Sequence, residues 1–133
     1  MYKRILFVPV LTLALLASCT TPEGLRDFDS EGWKADTYAC EGKRSELVGA
    51  FEKIRKELYG KKEYVLRNLL GKPDSEELLE RNQRIYYYYL EPGAQCKDRS
   101  RMSDANRVEV RINALGKVSE VTYHQPYNAA KPD

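Results

Sequence analysis

Arg84-Ile85-Tyr86-Tyr87-Tyr88-Tyr89-Leu90 is the stretch whose reading decides the fold. It is rich in strand-forming residues. At a period of two, Ile85, Tyr87 and Tyr89 point to one face and Tyr86, Tyr88 and Leu90 to the other. So much ring area on both sides is costly to expose, so one face must pack under other elements. Pro92 and Gly93 end the strand. A polar loop with Cys96 then runs from Ala94 to Asn106, followed by a second strand, Arg107 to Asn113. There Val108, Val110 and Ile112 point inward, while Glu109, Arg111 and Asn113 point outward. Ala114-Leu115-Gly116-Lys117 reads as a turn into a third strand, Val118 to Tyr123. Val118 and Val121 break strict alternation, which predicts a bulge or a Val118 belonging to the turn.

Upstream of the tyrosines the period changes. Leu47, Phe51, Ile54 and Leu58 are spaced four, three and four apart, a single helical stripe. Ser45 with Glu46 marks its start and Gly60 its end. Val65, Leu66, Leu69 and Leu70 give a second helix, from about Lys62 to Leu70, stopped by Gly71 and Pro73. The expected fold is α+β: a two-helix hairpin on a three-stranded antiparallel sheet, in the order α-α-β-β-β. Trp33, Tyr38 and Cys40 begin the ordered part of a single domain spanning 33–124. Residues 19–32 read as a tether and 125–133 as a frayed tail.

The chain has 133 residues, 22 basic and 20 acidic. That length allows one small domain. The balance excludes nucleic-acid binding driven by bulk charge. With one histidine and three cysteines, a zinc site or a His-centred catalytic apparatus has few residues to draw on. No G-x-S-x-G, phosphate loop or zinc spacing occurs. His124 reads as a surface or satisfied histidine. Lys72 and Asp74 read as solvating the turn at Pro73, and Glu76, Glu77 and Glu80 as a charged helical or loop face. The expectation is a non-enzyme with no cofactor and no metal.

Lys3 and Arg4 precede an apolar run from Ile5 to Leu16, too short to span a bilayer. With the small residues that follow, residues 1–18 read as a secretory signal. Leu16-Ala17-Ser18-Cys19 resembles the lipobox of bacterial lipoproteins. The resemblance implies cleavage before Cys19 and acylation of its thiol and its new amine. The anchor would then be outer-membrane lipid, because Thr20 stands where an aspartate would favour the inner membrane. Lys3 and Arg4 leave with the signal, so 20 basic residues then balance 20 acidic ones.

Cys40 and Cys96 remain, and export to an oxidising compartment favours pairing them. Such a bridge would close a loop of about 57 residues and stabilise by about 4 kcal/mol on the chain-entropy treatment. Two free thiols, a redox pair or a metal pair are the alternatives, though a redox pair usually takes C-x-x-C spacing.

The order Gly60, Leu66, Leu70, Gly71, Pro73, then Tyr86 to Tyr89, then Val110, Ile112, Gly116 and Val118 resembles the small outer-membrane lipoproteins of the SmpA/OmlA type. The resemblance covers about residues 45–123. Lys62 replaces that family's helix-capping Thr or Ser, and a Cys40-bearing segment replaces its tyrosine- and proline-containing one. The resemblance implies a periplasm-facing protein acting by protein–protein contact at the outer membrane, with subunits of the β-barrel assembly machine as partners, or in envelope integrity. The α-α-β-β-β unit is also similar to the repeat of β-lactamase inhibitor proteins, which implies the alternative of inhibiting a periplasmic or cell-wall enzyme. For the contact surface, Tyr86, Tyr87, Tyr88 and Tyr89 are the candidates, rimmed by Glu109 and Arg111. The alternative is that both faces are covered within the domain.

Overall fold

Tyr87 stands opposite Ser75 on one side and Glu109 on the other, which puts the tyrosine strand inside a sheet and not at its edge. The computed structural model describes residues 22–128. The signal segment and Cys19 lie outside the described residues. The sheet is an antiparallel meander of β1 (Ser75–Leu78), β2 (Arg84–Tyr89), β3 (Arg107–Ile112) and β4 (Val118–Tyr123), neighbours in that order. The expected bulge is present as a register shift between Arg111 and Ile112, where Glu120 and Val118 are the β4 partners. It turns both Val118 and Val121 into the core.

The α+β class and the antiparallel pairing are as expected, but the sheet has four strands and not three. The extra strand, β1, contains Glu76 and Glu77, read above as part of a helical or loop face. Its four residues pack little, Leu78 being 75% exposed, so no buried alternation marks it. What holds it is pairing with β2 across the turn Glu80–Asn82, where Arg81 and Asn82 have φ of +59°.

Three α-helices cover one sheet face: α1 (Ser30–Ala35), α2 (Lys43–Ile54) and α3 (Glu63–Leu70). α1 packs against both α2 and α3, so the helical layer is not a simple hairpin. Trp33 of α1 is buried, its ring 5.3 Å from Phe51, 5.6 Å from Phe28 and 6.5 Å from Tyr88. Around it, Leu66, Leu70, Val108, Val110 and Ile112 have no exposed surface.

The expected tether of residues 19–32 is corrected over its described part. Leu25 and Phe28 are buried in the core, and Asp29 caps α1 by accepting from Gly32 N at 2.9 Å. Leu25 and Phe28, two apolar side chains three positions apart in a polar stretch with Pro22 and Gly24, are too few to show a periodic stripe. We expect Leu25→Ala to lower stability by about 2–3 kcal/mol, near the bottom of the core range because a short segment can settle into the space. Urea denaturation checks this, and an unchanged midpoint would return the segment to a tether.

α2 begins at Lys43, not at Ser45. Gly42, at φ +80°, offers no capping side chain. The carboxylate comes instead from Asp36, which accepts from Glu41 N at 2.8 Å and Arg44 N at 2.9 Å. Ser45 is thereby free to donate to the Leu90 carbonyl at 2.7 Å, tying α2 to the end of β2. The link after α2 runs through a tight turn, Arg55–Leu58, to Gly60. There it pairs with the sheet: Gly60 N donates to Val118 O at 2.8 Å and Val118 N to Lys61 O at 2.9 Å. That covers part of the outer edge of β4. At the other end, Gln125 N donates to Asn106 and Tyr127 stacks on Tyr123, so contacts continue into the expected tail. Residues 129–133 of that tail lie outside the described residues.

Candidate interaction surfaces

The four tyrosines of β2 follow the expected alternation, and the domain covers both faces. Tyr86, Tyr87, Tyr88 and Tyr89 are 0%, 7%, 0% and 1% exposed, which corrects their reading as an open contact surface. Under the helices, Tyr88 donates to the Gly71 carbonyl at 2.9 Å. The guanidiniums of Arg67 and Arg84 stand 5.1 and 6.0 Å from the centre of the Tyr86 ring, and its hydroxyl donates to Glu63. On the outer face the cover is lighter and more polar. Tyr87 donates to Glu77 at 2.7 Å, and the Arg107 guanidinium lies 5.2 Å over its ring. Burial, reinforced by the bond to Glu77, pushes the Tyr87 hydroxyl up to about 12. Tyr89 stacks on Tyr38, and its hydroxyl accepts from Ser103 N.

The outer face that a partner could meet is therefore a ladder of charge. Glu109 pairs with Arg107 at 3.1 Å and stands 3.8 Å from His124 Nδ1. Arg111 pairs with Glu120 at 3.5 Å, both half exposed. Glu109 and Arg111 lie on the expected face, but they rim no aromatic patch.

The Tyr89 end of the sheet is closed by Cys40 and Cys96, whose sulfurs are at bonding distance, 2.02 Å, with Cα atoms 5.8 Å apart. Cys40 precedes α2 and Cys96 lies in the loop after β2, the tie expected from the sequence. Beneath it lies a polar cluster that the sequence reading missed. Arg44 and Asp74 form an ion pair at 2.6 Å, with side chains 1% and 2% exposed. Arg44 also donates to the carbonyls of Trp33 and Tyr89. Asp74 accepts from Tyr38 N at 3.0 Å and Tyr89 N at 2.8 Å, so it does not solvate the turn beside Lys72. Buried Gln95 donates to the carbonyls of Tyr38 and Glu91 and accepts from Ser103. Tyr38 and Ala39 hold φ of +60° and +57°, where an L side chain costs about 1–2 kcal/mol. Asp74, Gln95 and the cross-link fix that conformation from three sides.

At the opposite edge, Glu52 accepts from Arg55 at 2.9 Å and from the Tyr123 hydroxyl at 2.6 Å. The Arg55 bond holds the Glu52 carboxyl below its ordinary range, against partial burial and with help from Tyr123. A carboxyl so lowered stabilises the fold above its unfolded value and loses that contribution as pH falls through its folded value. We expect wild-type stability to decline below about pH 4.3, the ordinary glutamate value. Glu52→Gln should make the decline shallower, as measured by denaturation between neutral and acid pH. An identical slope would remove the assignment.

Among the described residues no group of three or more His, Cys, Asp and Glu side chains could hold a metal ion, and no helix is long and apolar enough to cross a membrane. No protein-family model matches this sequence, and no match is found among curated proteins or solved structures.

Proposed function

We propose that this is a non-catalytic, lipid-anchored envelope protein, carried on outer-membrane lipid by acyl chains on Cys19, facing the periplasm and acting by protein–protein contact. The observation that carries the reading is the distribution of the three cysteines. Cys40 and Cys96 lie at bonding distance, so Cys19 is the odd thiol. It stands directly after Leu16-Ala17-Ser18 at the end of an apolar run. Each buried methylene contributes about 0.8 kcal/mol, so several acyl chains on one residue hold a protein on a bilayer nearly permanently. The contact surface in this reading is the charged outer face around Glu109 and Arg111, because the tyrosine rings are covered. Exposed pairs such as Arg111–Glu120 contribute little to folding, which leaves their charges available to orient a partner. Assembly of barrel proteins or maintenance of the envelope is the setting this reading favours.

Cys19→Ala tests it. Fractionation with a high-salt wash, which strips proteins held on lipid by charge alone, is expected to move this variant from the membrane pellet to the soluble fraction. Retention of the variant in the salt-washed membrane would overturn the anchor.

A further inference from the structure

Anchoring at Cys19, on which this inference rests, leaves a short leash. Leu25 is buried, and it stands six positions after Cys19, a reach of about 20 Å at full extension. The domain cannot roam. One end must lie close to the bilayer, and the structure indicates which. A β-carbon at Gly24 would stand 3.3 Å from the Glu57 side chain, so the chain enters the domain beside the turn Arg55–Leu58.

That turn leads into Tyr59-Gly60-Lys61-Lys62, which is bonded to the turn between β3 and β4. Glu63 N donates to Gly116 O at 2.9 Å, and Lys62 pairs with Lys117 as an isolated antiparallel bridge. Like charges directly opposite one another destabilise a pairing. Among the described residues neither Lys62 nor Lys117 has an ion-pair partner, and the same is true of Lys56 and Lys61. Residues 56–64 and 114–117 thus carry four lysines against Glu57 and Glu63, and Glu63 is engaged by Arg67 and Arg84. Beside the lysines, Leu115 is 81% exposed and Tyr64 62%. An apolar tip, a tyrosine and unpaired lysines suit the water–lipid boundary, where the tip enters, the ring lies among headgroups and the ammonium groups meet phosphates.

We infer that the end of the domain formed by residues 59–64 and 114–117 rests on an anionic phospholipid surface, the bilayer to which Cys19 is anchored. Phosphate between Lys62 and Lys117 relieves their repulsion, so the free domain and the docked domain differ at this bridge.

The test uses the full chain with Leu115→Trp, acylated and reconstituted in phosphatidylcholine vesicles containing phosphatidic acid with brominated chains. Trp33 is fully buried and supplies a constant background. Emission from the new tryptophan is expected to be quenched. Emission from Ser100→Trp is not, because that loop lies beyond the opposite ends of β2 and β3. Separately, the Cys19→Ala protein is expected to partition onto phosphatidic-acid vesicles and not onto phosphatidylcholine alone. Lys62→Glu with Lys117→Glu should cut that partitioning by at least about tenfold. Unquenched Leu115→Trp in a protein shown to be acylated, or no preference of Cys19→Ala for anionic vesicles, overturns the inference and leaves the anchor standing. Lysine-dependent partitioning by a native protein that lacks acyl chains supports the surface and removes the anchor.

Discussion

Asp74→Ala is expected to cost about 3–5 kcal/mol, because it strands a buried cation. The Arg44 side chain is 1% exposed, and among the described residues its one ion pair is with Asp74, at 2.6 Å. Without Asp74, Arg44 keeps the carbonyls of Trp33 and Tyr89 and the face of the Trp33 ring, 5.1 Å away, but has no anion beside it among the described residues, and the N–H groups of Tyr38 and Tyr89 lose their acceptor. The loss belongs to breaking the pair and not to the pair's net worth. Replacing both partners together, Arg44→Met with Asp74→Leu, should therefore recover a large part of it. Equilibrium urea unfolding of the two variants separates these cases. A cost below about 1 kcal/mol for Asp74→Ala would mean that the charge finds water, and that the end of the sheet is looser than the structure describes.

Removing the cross-link acts on the same end of the molecule by a different route. Cys40→Ser with Cys96→Ser is expected to lower stability by about 4 kcal/mol, since the bridge spans a sequence separation of 56 and restricts the unfolded chain. A second effect is local. Tyr38 and Ala39 occupy left-handed backbone next to Cys40, and without the bridge they are held there by hydrogen bonds to Asp74, Gln95 and the Asp36 carbonyl and by the stacking of Tyr38 on Tyr89. Amide exchange around residues 36–44 and 94–103 should therefore rise more than exchange in β3. Unfolding measured with and without reductant gives the first quantity, and exchange at neutral pH the second. No change in either would mean that the buried polar cluster alone closes this end.

What the sequence disclosed follows from which signals are local. β3 alternates over its six residues, β2 is an unbroken run of strand formers and β4 departs from alternation at its bulge, so their boundaries within a residue were legible. The stripes of α2 and α3 and the stop at Gly71 were legible for the same reason. Gly71 has φ +79°, and a β-carbon there would also strike the Lys34 side chain. β1 and α1 were not legible, because four and six residues show no period and their burial depends on partners far along the chain. The polar cluster was hidden most completely. Arg44 lies on a helix otherwise rich in exposed charges, and Asp74 follows a proline at a turn. Nothing local distinguishes them from solvated residues. Their roles arise only when α2, β1 and the end of β2 meet. The tyrosine strand shows the same limit, since its alternation was readable but the cover from Tyr38, Arg107 and Glu77 was not.

The intact mass of the native protein, purified from cells without reduction, tests the account most directly. The expected mass is that of a chain that begins at Cys19, carries acyl groups on that residue and lacks two hydrogens for the bond between Cys40 and Cys96. A chain retaining residues 1–18, or one beginning at Cys19 with an unmodified thiol and amine, would contradict it.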